Sequence, residues 1–99
     1  MDMLSQKFWS YELDKPWNVI RVIPAFPCVE VTFADELSAT FDFSRLMDTN
    51  EDYRRLRNRL EFNRVGSAEG VLTWAWGLHI PNDILYPLAE NSEGKIVLL

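Results

Sequence analysis

The middle of the chain alternates between apolar and polar positions, which is the pattern of half-buried β-strands. Two alternating runs, at 28–34 and 37–43, are separated only by Asp35 and Glu36. Alternating runs joined by so short a connection are typical of a β-hairpin. A further strand, rich in β-branched residues, is predicted at 18–23, where a proline then stops it.

The pattern changes to a helical period after these strands. Tyr53, Leu56 and Leu60 share one face at i, i+3 and i+7, and helix-capping residue types precede them at 48–50. The main helix of the protein is therefore predicted to start there and to end near Leu60. A short helical turn at 44–47 is predicted to come before it.

The most distinctive stretch of the chain combines a strand, a glycine break and a short helix. Alternation over 71–76 puts Trp74 and Trp76 on one face, and we expect that face to pack in the core. A platform for stacked bases and an aromatic dimer contact are the alternatives for the two tryptophans. Pro81 suits the first position of a short helix that runs to about Leu88.

The remaining segments are short. We predict an aromatic strand at 7–13, a strand at 62–65, a glycine-containing turn at 66–70, and either an edge strand or a tail at 95–99. Consecutive strands with short connections argue for an α+β fold. We predict one domain over residues 1–99, with two layers, a mostly antiparallel β-sheet of about five to six strands, one main helix and a short C-terminal helix.

Composition limits the classes of protein that are compatible with this chain. The 99 residues, 47% hydrophobic and 25% charged, suit one globular domain. The formal net charge of −5 opposes non-specific adhesion to nucleic acid or to anionic membranes. Cys28 is the single cysteine, and the sequence shows no signal-peptide pattern and no membrane-length apolar run. We therefore expect a cytoplasmic protein that does not bind membranes.

Arginine is concentrated in one segment, because five of the ten basic residues fall within 54–64. On the predicted helix, Arg54, Arg55 and Arg59 point away from the apolar face. They are a candidate surface for an acidic partner or for a phosphate backbone. Nearby carboxylates dilute this charge, so a solvated helix face is the favoured interpretation and nucleic-acid binding the less favoured one.

His79 is the only histidine and the most reactive side chain type in the sequence near neutral pH. With a carboxylate such as Asp42 or Asp83 it could form a small-ligand or enzymatic site, and a pair with Cys28 is the weaker alternative. A zinc site needs three or four ligands, which the sequence does not group. We predict no catalytic residues, no cofactor and no metal, and we keep His79 as a candidate interaction residue whose default role is structural.

Several short motifs occur in an order that resembles a known family. They are V-E-V-T-F-A-D-E at 29–36, A-T-F-D-F-S-R-L at 39–46, L-T-W at 72–74, G-L-H-I at 77–80 and I-L-Y at 84–86. Over residues 18–88 the chain is similar to a small bacterial family of unknown function, "DUF twenty-four forty-two". Glu36 stands where the family has a turn glycine, and His79 stands where it has an acidic residue.

The resemblance implies a compact α+β domain with an antiparallel sheet. Relatives with a fused helix-turn-helix domain, or with toxin–antitoxin-like neighbouring genes, imply a regulatory or partner-binding role. The family has no agreed catalytic residues, so none is carried over. We therefore expect a non-enzymatic protein-interaction or regulatory module, in a toxin–antitoxin-like pair, whose partner is another protein. Homodimerisation, through an edge strand or the tryptophans, is a further expectation.

Overall fold

The computed structural model describes residues 15–92 and 94–99, so the predicted aromatic strand at 7–13 lies outside the described residues. The strands are β1 (Val19–Ala25), β2 (Cys28–Phe33), β3 (Ser38–Asp42), β4 (Gly66–Ala68), β5 (Val71–Thr73), β6 (His79–Ile80) and β7 (Lys95–Val97). The helices are α1 (Ser44–Thr49), a 3₁₀ helix (Glu51–Arg57), α2 (Arg59–Phe62) and α3 (Asn82–Glu90).

The first sheet has four strands in the order β1-β2-β3-β7. The strands β1, β2 and β3 form an antiparallel meander in which Val31 lies between Val22 and Ala39. The predicted hairpin of β2 and β3 is confirmed. Glu36 takes a positive φ of 73° in its turn, so the turn forms without a glycine. The strand β7 joins β3 in parallel and forms one edge of the sheet.

A second sheet of three short antiparallel strands, in the order β4-β5-β6, lies beside β1. Gly70, in the β4–β5 turn, connects the two sheets, because its carbonyl accepts hydrogen bonds from the Val19 amide at 2.8 Å and from Asn82 Nδ2 at 2.9 Å. Gly70 has a φ of +80°, and a Cβ there would lie 2.7 Å from the Asn18 side chain. Only glycine fits this position without strain. The strands thus divide between two sheets, where the sequence predicted one.

The predicted main helix is wrong, because its segment divides into the 3₁₀ helix and α2, whereas the helical turn predicted at 44–47 is confirmed as α1. Asn50 and Asn58 have extended backbones at the two breaks, and their side-chain oxygens accept hydrogen bonds from the amides of Asp52 and Leu60. Each asparagine therefore starts a new helix instead of continuing the previous one. Since the helical period is broken, Leu60 is 79% exposed, whereas Leu56 is fully buried.

Three neighbouring predictions are also wrong. The strand predicted at 62–65 is the end of α2 and a turn, and the turn predicted at 66–70 begins as β4. The strand predicted at 71–76 is shorter, because β5 ends where a tight turn begins. In that turn the Gly77 amide donates to the Trp74 carbonyl at 3.0 Å.

Trp74 lies in the core and is 2% exposed. Its indole N–H donates to the Phe62 carbonyl at 3.0 Å, and the ring centres of Phe43 and Phe62 lie 5.6 Å and 6.2 Å away. A buried tryptophan whose N–H is satisfied stabilises a core by both its area and its ring geometry. The core prediction is confirmed for Trp74, whereas Trp76 is only partly buried.

The helix α3 and the strand β7 complete the fold. Pro81 is extended, with φ −60° and ψ 145°, so α3 begins one residue later than predicted and continues to Glu90. The segment at 95–99 contains the edge strand β7. Helices and mostly antiparallel strands together form the predicted α+β fold. Within the described residues, no helix has the length and apolar character that crossing a membrane requires.

Candidate functional site

His79 lies at the surface in β6 and does not form the predicted acid–base site. Its Nδ1 is 3.2 Å from the Gly77 carbonyl oxygen. Asp42 is held elsewhere, because it accepts a hydrogen bond from the Ser44 amide at 2.8 Å and lies 3.7 Å from Lys95 Nζ. Among the described residues, neither of the predicted carboxylates is hydrogen-bonded to His79.

Cys28 and Asp42 face each other on neighbouring strands. Burial and the Asp42 charge raise the pKa of the Cys28 thiol, which disfavours the thiolate that a nucleophile needs. Burial also opposes ionisation of Asp42, but the hydrogen bonds from Ser44 and the charge of Lys95 together lower its pKa. Residues 15–92 and 94–99 hold no group of three or more His, Cys, Asp or Glu side chains that could bind a metal ion.

The three predicted arginines do not form one continuous positive face. Arg55 Nη2 donates to Glu61 at 2.9 Å, and the Arg55 guanidinium lies 4.3 Å from the centre of a Trp76 ring. The Arg59 guanidinium carbon lies 4.8 Å from the centre of the Phe26 ring. Arg54 is exposed and has no ion pair among the described residues. The Glu61 carboxylate therefore interrupts this surface, which weakens the argument for a phosphate-binding face.

The two sides of α3 carry the surface features that the sequence did not reveal. Leu85 and Ala89 are its buried residues, and successive helical residues are about 100° apart. Residues on either side of this buried stripe therefore point in opposite directions. The acidic flank consists of Asn82, Asp83, Tyr86 and Pro87, with Trp17 from the chain before β1. The aliphatic flank consists of Ile84 and Leu88, with Ile80, Leu98 and Leu99.

The acidic flank forms an open cleft of about 270 Å³. Trp17, which is 44% exposed, lines it together with Tyr86 and Pro87. A second cleft, of about 280 Å³, shares Trp17 and Asn82 with the first and is also lined by Glu69. Together the two clefts make a groove that passes Trp17 and Asn82.

Negative charge surrounds the acidic flank. Asp83 lines the cleft, Asp35 accepts a hydrogen bond from the Tyr86 hydroxyl, and the charge of Glu90 also acts on that hydroxyl. In the described part of the chain, Lys15 is the single cation at this groove, 5.9 Å from the centre of the Trp17 ring. With Glu69 of the second cleft, four carboxylates against one ammonium group leave the groove with a negative potential.

The hydrogen bond between Tyr86 and Asp35 fixes the Tyr86 ring at the edge of the groove. The Phe33 ring also packs against it edge to face, with ring centres 5.1 Å apart. Because the phenol donates to the carboxylate, this bond lowers the pKa of Asp35 and raises the pKa of Tyr86 to about 12. Tyr86 is therefore a neutral, oriented aromatic group near neutral pH.

Asn82 lies in the first turn of α3 and lines both clefts. Its Nδ2 donates to the Gly70 carbonyl at 2.9 Å, which ties α3 to the β4–β5 turn. Its Oδ1 is buried and has no hydrogen-bond partner among the described residues. A buried acceptor left in this state costs about 1–3 kcal/mol.

The aliphatic flank borders a third cleft, of about 270 Å³, on the other side of α3. Leu46, Asn50 and Tyr53 line its far side, and none of the described residues that line it carries a charged side chain. Ile84 and Leu88 are 50% and 39% exposed there, although they belong to the same helix as the fully buried Leu85. The cleft is therefore open and lined mainly by aliphatic side chains.

One sequence signal could have indicated the aliphatic flank. Ile84, Leu85, Leu88 and Ala89 cover more of a helix than one buried stripe needs, so part of this apolar set must remain at the surface. No family model, curated protein or solved structure matches the chain. We therefore infer a function from the geometry of the two flanks.

Proposed function

We propose that this domain is a non-enzymatic protein-binding module whose acidic flank holds a basic, extended segment of another protein. The observation that supports the proposal is an open cleft lined by Trp17, Tyr86 and Pro87 and surrounded by carboxylates. Aromatic-lined grooves suit proline-containing segments, because a polyproline helix is already extended and loses little entropy on binding. A partner segment with proline beside lysine or arginine matches both the lining and the charge.

The charge of the partner follows from the groove. Asp83, Asp35 and Glu90 surround the cleft, and Glu69 extends the negative surface into the adjoining one. Complementary charge speeds encounter and rejects partners of the wrong sign. Lys15 opposes this effect at one end, so we place the basic residues of the partner near Asp83.

Asn82 supplies a polar contact at the floor of the groove. Its buried Oδ1 lacks a donor among the described residues, while its Nδ2 is held by Gly70. A small shift of the Asn82 side chain or of Trp17 exposes this acceptor to a backbone N–H of a bound segment. A new donor then removes a penalty of about 1–3 kcal/mol, which favours the occupied groove.

The proposal is one of binding without catalysis. The exposed His79 contacts a backbone carbonyl, and the raised pKa of Cys28 disfavours its thiolate. We further propose that the domain belongs to the bacterial family that its motifs resemble and acts in the cytoplasm, as the regulatory member of a toxin–antitoxin-like pair. The α+β architecture with mostly antiparallel pairing is the one that this resemblance implies.

An array of synthetic ten-residue peptides tests the proposal. The peptides vary the positions of proline, lysine or arginine, and aliphatic residues, and a matched array replaces each basic residue with glutamate. We expect the full chain to bind basic proline peptides with Kd values of roughly 10–100 μM, and to leave the acidic array unbound. Trp17→Ala should weaken binding at least about tenfold, because it removes one aromatic wall.

A matched pair of variants then separates local contact from general charge. Asp83→Asn removes a carboxylate in the cleft, whereas Asp52→Asn removes an exposed carboxylate on the 3₁₀ helix. We expect the first to weaken binding several-fold and the second to leave it unchanged. Equal effects of the two changes, or equal binding of the basic and acidic arrays, would contradict the proposal.

A further inference from the structure

The two edges of the four-stranded sheet are protected differently. At the β1 edge, the Val19 amide is bonded to Gly70, Arg21 places a charge on the strand, and Pro24 has no N–H to offer. Charges, prolines and covering loops are the usual means of blocking an edge strand. At the β7 edge, the strand has no proline, and Lys95 is its only charged residue.

The backbone of β7 shows which of its groups are open. The Leu98 amide donates to the Asp42 carbonyl at 3.0 Å, so Leu98 and Ile96 direct their backbone groups towards β3. Because backbone direction alternates along a strand, the N–H and C=O of Val97 point away from the sheet. In the described part of the chain these outward groups of Val97 have no partner. The β7 edge can therefore accept another strand.

Apolar side chains surround this open edge. Val97 and Leu99 are 46% and 82% exposed, and Ile84 and Leu88 of the aliphatic flank are 50% and 39% exposed. Leu99 also lines the cleft of the aliphatic flank, so the strand end and the flank form one surface. An apolar surface of this size beside an unpaired strand indicates an interface.

We propose that a second copy of this chain covers the β7 edge and the aliphatic flank. The two β7 strands pair antiparallel about a twofold axis at Val97, which joins two four-stranded sheets into one. In this register Val97 faces Val97 of the second copy, and each Lys95 lies opposite a Leu99, so the two ammonium groups stay at opposite ends. A second copy fits this edge, because the twofold register pairs the outward N–H and C=O of Val97 reciprocally and places the exposed side chains of Val97 and Leu99 in the contact.

The dimer goes beyond the proposed peptide binding and uses different residues, so either can fail without the other. Sedimentation velocity on the full chain, over about 1–200 μM, measures the dimer directly, because its population depends on concentration. We expect a species of twice 11.6 kDa at the upper end of this range. Persistence of the 11.6 kDa species at all concentrations would overturn the proposal.

Two variants test the geometry, each checked for a native circular-dichroism spectrum. Val97→Pro removes only an outward N–H, so it blocks pairing with another strand while β7 stays on β3. Leu99→Glu places a charge in the interface, and Leu60→Glu is its control, because the two leucines are 82% and 79% exposed. We expect Val97→Pro and Leu99→Glu each to raise the Kd of the dimer at least about thirtyfold, and Leu60→Glu to change it less than about threefold. A dimer that survives both Val97→Pro and Leu99→Glu would overturn the proposal.

Discussion

The two flanks of α3 share one helix but differ in almost every surface property. On the acidic flank, aromatic and proline side chains are surrounded by Asp83, Asp35 and Glu90. On the aliphatic flank, Ile84 and Leu88 border a cleft that no charged side chain of the described residues lines. The first chemistry suits a steered, reversible encounter with a charged segment, and the second suits a lasting apolar contact.

A short helix can contribute residues to two different surfaces when few of its residues are buried. Leu85 and Ala89 are the buried residues that anchor α3 in the core, Tyr86 packs against Phe33, and Asn82 ties the first turn to Gly70. The exposed positions of α3 can therefore meet another molecule. The same anchors position both flanks, so changes at the anchors should affect both, whereas changes on one flank should leave the other intact.

The largest expected effect comes from removing the anchor. Leu85→Ala should lower the free energy of unfolding by about 2–5 kcal/mol, because Leu85 is fully buried and the change leaves a cavity. Leu88→Ala, on the same helix but 39% exposed, should lower it by less than about 1 kcal/mol. Urea unfolding followed by circular dichroism measures both. Equal losses would show that α3 is not anchored as described.

A smaller effect is expected at the connection between α3 and the sheets. Gly70→Ala combines a positive φ with a clash against Asn18, and should lower the free energy of unfolding by about 1–3 kcal/mol. Gly66→Ala is the control, because a Cβ there meets nothing within 4 Å. Since Gly70 holds Asn82, the first change should also weaken peptide binding more than dimerisation. Thermal unfolding measures the stability of the two variants. A Gly70→Ala protein that is more stable than the Gly66→Ala control would contradict the strain at Gly70.

High salt should weaken peptide binding to the acidic flank by about 1.4 kcal/mol, which is a tenfold change in Kd, and should not weaken dimerisation through the aliphatic flank. Raising the salt concentration from about 0.1 M to about 1 M shortens the screening length from about 10 Å to about 3 Å. The affinity of the acidic flank for a basic peptide should therefore fall, whereas dimerisation through the aliphatic flank should stay constant or strengthen. Calorimetry and sedimentation at both salt concentrations provide the comparison. A salt-independent peptide affinity would remove the electrostatic part of the proposal.

The smallest effect concerns the hydrogen bond that orients Tyr86. The pKa of the Tyr86 phenol, about 12, lies above the ordinary 10.0. The hydrogen bond to Asp35 therefore stabilises the fold below pH 10, and this contribution is lost as the pH rises through about 12. The lowered pKa of Asp35 has the opposite sign: its contribution is present above the ordinary 3.8 and is lost as the pH falls through the lowered value. Phenolate absorbance, with Tyr86→Phe subtracted, should give a Tyr86 pKa that falls towards 10 in Asp35→Ala. An unchanged pKa would show that Asp35 is not its partner.

Local patterns predicted the parts of the fold that depend on neighbouring residues in the sequence. The β2–β3 hairpin followed from alternation, and the burial of Trp74 followed from its place on one face of the alternating segment 71–76. The helix start at Asn50 followed from the capping residue types at 48–50, but the break at Asn58 did not, because capping by an asparagine side chain competes with the helical period. Hence Leu60 was placed on the buried face and is in fact 79% exposed.

The candidate site was less predictable, because it depends on contacts between distant parts of the chain. Trp17 and Tyr86 line one cleft from distant parts of the sequence, and the partner of Tyr86 is Asp35 in the hairpin turn. No spacing rule links such residues. The arginine segment shows the reverse case, since a dense run of charge proved to be interrupted by the pairing of Arg55 with Glu61.

The most direct test of the proposed function is a nitrogen–proton correlation spectrum recorded during titration with the best-binding basic proline peptide. The indole signal of Trp17 and the backbone signals of Asp83 and Tyr86 should shift in a saturable way, whereas the indole signal of Trp74, buried and bonded to Phe62, should not. Shifts confined to the aliphatic flank or to the arginine segment, or no shifts at saturating peptide, would contradict the assignment of the acidic flank as the binding surface.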